Sequence, residues 1–296
     1  MAAPLFELRP RSAGDILDQA LRLYRRHFVS ILRLVLVPFA LTVPLSIWED
    51  SVSDGVEGLQ DLLRILPLSS ALLVAIQWLG SLGEAALARW VANPDVSPTA
   101  SLWKFYGPVL RRGISLACVA VLSFMLWVGT VLLPIGGMIG VAVAAVDSRG
   151  LGMATLLVGA ALAAIALGGM VIVTRLSLTV VVIVLEDVSW PAGLRRSWRL
   201  VRGQFWRTAA IVLFALAFAF GPLLLFKFTG SLVYEIMSPP TERFLIQVVT
   251  VVISPIALIA LALLYYDCRI RQEALDLEVM AQRIDAPQNP SAGGLP

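Results

Sequence analysis

Apolar residues along this chain gather into six runs of about twenty or more positions, and shorter polar segments separate the runs. A helix of about 20 apolar residues spans the ~30 Å hydrocarbon core of a bilayer, so each run predicts a transmembrane helix. The expected spans are roughly 28–48, 66–90, 114–143, 151–185, 206–228 and 244–266. The pattern therefore predicts an all-α polytopic membrane protein, with about six transmembrane helices arranged as three hairpins.

A short motif recurs beside two of these runs. Residues 22–28 read R-L-Y-R-R-H-F and residues 199–205 read R-L-V-R-G-Q-F, so both copies fit R-L-x-R-x-x-F. A weaker third copy begins at Trp103, where W-K-F-Y aligns with the W-R-L-V that begins at Trp198. Internal repeats indicate repeated structural units. We expect three units, each a basic amphipathic helix on the cytoplasmic surface followed by a transmembrane hairpin.

The polar segments carry helix signals of their own. Ser12 and Asp15 have the spacing of a capping box, which predicts an amphipathic helix over 12–27. In the third unit an apolar stripe is expected along one face of the surface helix. Its members are Trp190, Leu194, Trp198, Val201 and Phe205.

Composition agrees with a membrane protein. The chain is 58% hydrophobic and 15% charged, whereas about 25% of the residues of a soluble domain are charged. The single histidine, His27, and the two cysteines weigh against histidine-based catalysis and a metal site, so no cofactor is expected. No familiar motif for a membrane enzyme is present.

The distribution of Arg and Lys predicts the orientation. The N-terminal segment, two alternate loops and the C-terminal tail together carry 17 of these residues, whereas the intervening loops carry four. Positive charge accumulates on the cytoplasmic side, so both termini are expected there. Residues 1–285 are expected to form one integral membrane domain that ends in a cytoplasmic helix over 267–283. The polar tail 286–296 is expected to be disordered.

Three blocks of the sequence resemble a bacterial membrane family. They are R-P-R-S-A-G-D-I-L-D from Arg9, G-L-R-R-S-W-R-L-V-R-G from Gly193, and Y-Y-D-C-R-I-R-Q-E from Tyr265. Together they are similar to the membrane domain that is joined to some glycerophosphodiester phosphodiesterases and is more often found alone. The resemblance implies a protein of the bacterial inner membrane. It implies no phosphodiesterase activity, because that belongs to a separate barrel domain with paired histidines.

Arginines on the surface helices are candidates for binding anionic lipid headgroups or a protein partner. The alternative is that they only set the orientation of the chain in the membrane. Nucleic acid is not an expected partner, since the membrane surface would cover the same face. The candidate residues are Arg22, Arg25, Arg26, Arg195, Arg196, Arg199 and Arg202.

Two further sets of residues are candidate sites. Arg175 lies within the fourth span, and Glu84 in the second span is the best opposite charge for it. Such a pair would be a polar ligand site or a structural ion pair. The remaining alternative is that Arg175 lies nearer the membrane interface and does not need this partner. The tail carries Asp267, Arg269, Arg271 and Glu273, which form either a docking surface or i,i+4 salt bridges on a solvated helix.

Three functions remain open from the sequence. The leading hypothesis is a non-enzymatic scaffold or accessory protein with a lipid-binding cytoplasmic surface. The second is a transporter or lipid-translocating protein, for which proline-broken helices and internal repeats are typical. The third is a membrane enzyme that acts on phospholipid headgroups.

Overall fold

The computed structural model describes residues 12–53, 58–93, 101–147, 153–233 and 239–273. In these ranges the chain is helical. The predicted tail 286–296 and the predicted cytoplasmic helix beyond Glu273 lie outside the described residues. The described helices are α1 (Ala13–Arg26), α2 (Phe28–Ser53), α3 (Leu59–Val91), α4 (Trp103–Arg111), α5 (Gly113–Trp127), a π-helical segment (Val128–Leu132), α6 (Leu133–Asp147), α7 (Met153–Leu176), α8 (Thr179–Leu185), α9 (Trp190–Val201), α10 (Phe205–Val233) and α11 (Pro239–Glu273).

Three short helices each precede a long apolar one. Only His27 separates α1 from α2, only Arg112 separates α4 from α5, and residues 202–204 separate α9 from α10. This order agrees with the three units that the repeated motif predicts. The capping box of α1 is confirmed, because the Asp15 amide donates to Ser12 Oγ at 3.1 Å and the Ser12 amide donates to Asp15 Oδ2 at 3.0 Å.

The membrane-protein fold is confirmed. Five helical stretches in the described chain are long and apolar enough to cross a bilayer: Phe28–Glu49, Leu63–Val91, Gly113–Val143, Thr155–Leu185 and Phe244–Glu273. A sixth is counted if α9 and the start of α10, which bend by 114° at their junction, form one broken span. The packing partners are α2 with α3, α6 with α7, and α10 with α11, which gives three hairpins.

The protein core lies among only part of these helices. The second half of α3 is buried from Ala85 to Ala88, α8 is buried throughout Thr179–Val184, and α11 is buried at most positions from Pro255 onward. The α6–α7 hairpin instead exposes large apolar side chains such as Ile139 and Leu167. Apolar exposure on long helices is typical of lipid contact. The core is therefore formed largely by α3, α8 and α11, whereas the α6–α7 hairpin contributes little to it.

The structure shows which faces of the short helices α1 and α9 pack against the protein core. On α1, Ile16, Ala20, Leu23 and Tyr24 are buried as predicted, but they pack against the protein core and not outward towards lipid. On α9 the buried residues are Gly193, Ser197, Leu200 and Val201, whereas Trp190 and Trp198 are exposed.

The predicted stripe of α9 is therefore divided, with Trp190 and Trp198 exposed and Val201 buried in the core. Small side chains face the core because α9 packs closely on α8. A Cβ added at Gly193 would lie 2.5 Å from Ile183 Cγ1, so only glycine fits at this contact. Hydrophobicity alone does not reveal such a face, since its residues are selected for size.

Tyrosines bind backbone carbonyls next to two helix-breaking prolines. Pro38 of α2 has no N–H, so the carbonyl of Leu34 loses its usual intrahelical donor. The hydroxyl of Tyr106 on α4 donates to this carbonyl at 2.5 Å. Near Pro255 of α11, the hydroxyl of Tyr24 donates to the carbonyl of Val252. The Tyr106 hydroxyl thus supplies the donor that Pro38 removes from α2, and the Tyr24 hydroxyl adds a bond one residue away from the carbonyl that Pro255 deprives.

Candidate functional site

Most of the candidate arginines and their neighbours fall into two groups, one paired inside the protein and one exposed. The internal group centres on Arg196 of α9, which the sequence placed among the lipid-binding candidates. Its Nε donates to Glu186 Oε2 at 2.9 Å, and its Nη2 donates to Glu273 Oε2 at 2.7 Å. Glu186 follows α8 and Glu273 ends α11, so one guanidinium joins three helices.

The network closes into a ring. Arg269 Nε donates to Glu273 Oε2 at 3.0 Å, and Arg269 Nη1 reaches the hydroxyl of Tyr265 at 3.3 Å. That hydroxyl in turn donates to Glu186 Oε1 at 2.9 Å. Burial disfavours the charge on Arg196, but its hydrogen bonds to Glu273 and Glu186 outweigh burial and raise the pKa of the guanidinium. We call Glu186, Arg196, Glu273, Arg269 and Tyr265 the ion ring.

A second cluster lies beside the ion ring. Asp267 is 3% exposed and forms ion pairs with Arg207 at the start of α10 and with Arg271 one turn further along α11. Arg271 Nε lies 3.0 Å from Asp267 Oδ2. Gln272 Nε2 donates to the carbonyl oxygens of Leu200 and Arg202 at 2.7 and 2.8 Å. The end of α11 is thus bonded to the α9–α10 junction.

These contacts favour the second of the two interpretations of the tail, a salt-bridged helix, over a docking surface. The predicted i,i+4 pairs are present, both between Arg269 and Glu273 and between Asp267 and Arg271. However, two of the four side chains also contact residues outside their own helix: Asp267 pairs with Arg207, and Glu273 pairs with Arg196. Because internal partners occupy them, they hold the helices together and do not form an open surface.

Arg175 does not pair with Glu84. Among the described residues no ion pair joins them; the Arg175 guanidinium lies 4.6 Å from the centre of the Trp198 ring and 6.0 Å from that of Phe205. Arg175 occupies the last turn of α7, and its carbonyl accepts from Ser197 Oγ at 2.8 Å. The physical reason is that α7 ends at Leu176, which brings Arg175 to α9 and away from α3.

Asp187 makes a separate contact between distant segments. It follows α8 with φ 54°, a left-handed conformation that Asp tolerates better than most residues. Arg112, between α4 and α5, donates to its carboxylate at 2.7 Å and also to its carbonyl oxygen. The hydrogen bond from Arg112 lowers the pKa of Asp187.

The exposed group of basic residues lies on the three short helices and the residues that follow them. All eight are exposed, and none forms an ion pair with a described residue. Six are lipid-binding candidates from the sequence, and Lys104 and Arg111 join them. The eight are Arg22, Arg25, Arg26, Lys104, Arg111, Arg195, Arg199 and Arg202.

An open cavity of about 570 Å³ lies at the α9–α10 junction. It is lined by Gly203, Gln204, Phe205, Trp206, Arg207 and Arg271. Gly203 has φ +93°, which glycine adopts readily and other residues adopt only under strain. The bend that shapes the cavity therefore depends on this glycine.

Sequence reasoning missed Glu186, Tyr265 and Arg207 as members of the internal clusters. Their partners lie 10 to 79 residues away along the chain, so no local spacing reveals them. One signal was available, since both Glu186 and Tyr265 are polar residues at the ends of apolar runs, where an acid or a hydroxyl needs a partner.

Residues 109–266 match a family described as a domain of unknown function, DUF7847. No curated protein and no solved structure matches the chain. The match covers just over half of the sequence and includes α5 to α10 entirely. It does not bear on the resemblance to the phosphodiesterase membrane domain, which stays a prediction.

Proposed function

The chain belongs to the DUF7847 family, and from its geometry we propose that it is a non-enzymatic membrane scaffold whose basic face binds anionic lipid headgroups. The observation that carries this proposal is the set of eight exposed, unpaired basic residues on the three short helices described above. Each basic residue near an anionic membrane surface contributes about 1 kcal/mol of attraction.

Exposed tryptophans accompany these charges. Trp103 of α4 is 70% exposed and Trp198 of α9 is 42% exposed. Tryptophan side chains are enriched at the boundary between headgroups and hydrocarbon. Aromatic anchors and basic residues on the same short helices fit a surface that contacts the membrane interface. In this proposal the face is cytoplasmic, both termini lie on that side, and the membrane is the inner membrane of a bacterium.

The internal clusters support a scaffold. The ion ring pairs the carboxylates of Glu186 and Glu273 with arginines, which suits a structural role for both. A protein partner, in this proposal, binds the same basic face through acidic side chains. Lipid and partner would then compete for the arginines of α1 and α9.

The test replaces Arg22, Arg25, Arg199 and Arg202 with glutamine. The protein is placed in nanodiscs that contain both phosphatidylglycerol and phosphatidylcholine, and spin-labelled lipids report its preference for the anionic one. We expect the preference to fall by at least about ten-fold, since four charges that each contribute up to about 1 kcal/mol are removed. The matched control carries lysine at the same four positions, which keeps the charge and should keep most of the preference. An unchanged preference in the glutamine variant, with its melting temperature unchanged, would contradict the proposal.

A transporter of lipid is the second candidate, and broken helices favour it. A π-helical segment interrupts the span that begins at Gly113, and the span that ends at Leu185 breaks between Leu176 and Thr179. Discontinuous spans are typical of transporters. If the protein translocates lipid, vesicles that contain it should scramble a fluorescent phosphatidylglycerol faster than protein-free vesicles, and Glu84→Gln should slow the transfer. Equal rates with and without protein would exclude this function.

A further inference from the structure

Arg175, in the last turn of α7, has no polar partner for its charge. In the part of the chain that the structure describes, no side-chain nitrogen of Arg175 donates a hydrogen bond or forms an ion pair. The residue is nevertheless half-buried. A charge that is partly removed from water is costly unless it is hydrogen-bonded. The guanidinium therefore needs an acceptor that the described helices do not supply.

Two aromatic rings hold this guanidinium in position. Its Cζ lies 4.6 Å from the centre of the Trp198 ring and 6.0 Å from that of the Phe205 ring. The Ser197 hydroxyl donates to the Arg175 carbonyl at 2.8 Å, which ties the end of α7 to α9. A ring attracts the cation but accepts no ordinary hydrogen bond, and a guanidinium has five N–H donors. The cation is thus fixed while its donors stay available to a ligand.

The exposed face of α9 adds positive charge beside the Trp198 ring. Arg195 and Arg202 lie three residues before and four residues after Trp198, so the three side chains share one face of the helix. Neither arginine forms an ion pair with a described residue, and α9 contains no acidic residue. Positive charge without a counter-charge attracts an anion to this face.

The length of α7 indicates the depth at which Arg175 lies. The helix has 24 residues, which corresponds to about 36 Å, and the hydrocarbon core of a bilayer is ~30 Å thick. Arg175 in the last turn is therefore expected at the edge of the hydrocarbon, beside the headgroup layer. Trp198, at 42% exposure, has the character of a side chain at this boundary. The anions at this level of a membrane are the phosphates of its lipids.

We propose that Arg175, held against Trp198, binds the phosphate of one anionic phospholipid, with Arg195 and Arg202 adding charge around the headgroup. Arginine suits this role because its planar fork matches the geometry of phosphate. The inference deepens the proposed function and rests on it in one respect, that α9 faces the headgroup layer. It goes further in that a single lipid occupies a defined position, whereas the basic face attracts anionic lipids by charge alone.

The test uses the full chain in an uncharged detergent and two probes, dihexanoyl phosphatidylglycerol and glycerol 3-phosphate. Native mass spectrometry counts the bound molecules, and titration gives the affinity. Arg175→Gln removes the phosphate ligand, and Trp198→Leu removes the ring that holds it. Arg25→Gln is the matched control, because it removes one exposed positive charge from a different short helix, α1. Thermal unfolding checks that each variant is folded.

We expect one discrete phosphatidylglycerol per chain, bound at least about ten-fold more weakly after Arg175→Gln and several-fold more weakly after Trp198→Leu. The affinity of Arg25→Gln should stay within about two-fold of the unmodified protein. Glycerol 3-phosphate should bind at least about ten-fold more weakly than the lipid, because it lacks apolar chains. If Arg175→Gln does not fold, Trp198→Leu decides the outcome against the same control. Three results would overturn the proposal: no discrete event in the unmodified protein, equal losses in the site variants and in Arg25→Gln, or equal affinities for the two probes.

The nanodisc assay separates this inference from the proposed function. Arg175 is not one of the eight residues of the basic face, so Arg175→Gln should change the broad lipid preference less than the four-position glutamine variant does. A discrete event that is sensitive to Arg175→Gln, without a broad preference, would support the site and contradict the proposed function of the basic face. A broad preference without a discrete event would support that function and overturn the site.

Discussion

The hydroxyl of Tyr106 donates to the backbone carbonyl of Leu34, 72 residues earlier in the chain, at 2.5 Å. This carbonyl lacks its intrahelical donor because the residue four positions later is Pro38. The helix α4 of the second unit therefore supplies the hydrogen-bond donor that Pro38 removes from α2 of the first unit. Tyr106 is buried at 8% exposure, and burial raises the pKa of its hydroxyl, so it remains a donor over the whole physiological range.

The first prediction concerns this bond. Tyr106→Phe should lower the free energy of unfolding by about 1–3 kcal/mol, since it leaves a buried carbonyl without a donor. Pro38→Ala restores an N–H at position 38, so Tyr106→Phe should cost less in that background. Thermal unfolding of the two single variants and the double variant in detergent measures the coupling. Additive losses would show that the hydroxyl does not serve this carbonyl.

The second prediction concerns the ion ring. Arg196→Gln should destabilise the protein by about 1–3 kcal/mol, less than for a fully buried pair because Arg196 is 21% exposed. It leaves Glu186 and Glu273 close together without the cation between them. Arg195→Gln is the matched control, since the adjacent Arg195 is exposed and unpaired among described residues; its effect should stay within about 0.5 kcal/mol. Equal melting temperatures for the two variants would contradict a structural role for the ring.

The third prediction concerns the contact between α8 and α9. Gly193→Ala should lower the unfolding free energy by about 1–3 kcal/mol, because the new methyl group would overlap Ile183. Ile183→Ala should relieve part of this loss by removing the overlapping atoms. Gly168→Ala in α7 is the control: nothing lies within 4 Å of its added Cβ, and alanine favours a helix there. Chemical unfolding monitored by circular dichroism distinguishes these cases.

The fourth prediction concerns pH. The pKa of Asp187 is lowered in the folded protein, so its pairing with Arg112 contributes stability above the unfolded-state pKa and loses it as the pH falls through the folded-state value. Asp187→Asn should therefore melt at a lower temperature than the unmodified protein at pH 7. At about pH 3 the difference should shrink. Asparagine is the suitable replacement because it also tolerates the positive φ of this residue. A difference that does not depend on pH would assign the effect to the backbone.

The fifth prediction concerns orientation. A green fluorescent protein fused after the last residue should fluoresce, and alkaline phosphatase fused there should be inactive, because the C-terminus is expected on the cytoplasmic side. The same pair of fusions within residues 148–150 should give the opposite result, since that segment joins the ends of one hairpin. Active phosphatase at the C-terminus would contradict the prediction, because it would place the C-terminus and the basic face on the opposite side of the membrane.

The sequence predicted the features that depend on local patterns. The apolar runs predicted a membrane protein of long apolar helices, and the capping box at Ser12 and the i,i+4 pairs on α11 appeared as expected. The repeat of R-L-x-R-x-x-F located two of the three short helices. Each of these signals lies within a few turns of one helix, where spacing alone determines which side chains meet.

Partners across helices were not predictable in the same way. Arg196 had the sequence context of a surface arginine, and only the fold brought Glu186 and Glu273 to it. Arg175 was matched with Glu84 on charge alone, whereas the helix end at Leu176 placed it on Trp198. The buried face of α9 was missed because glycine and serine carry no hydrophobic signal. In each case tertiary packing determined the outcome.

The ion ring joins Glu186 and Arg196 to residues that follow them by about eighty positions, at the very end of α11. A ribosome makes these segments in order, so every nascent chain passes through a stage in which Glu186 and Arg196 have been synthesised and the end of α11 has not. The ring can therefore close only after all of the described helices have been synthesised. A chain that stops before Glu273 would leave Arg196 bonded to Glu186 alone.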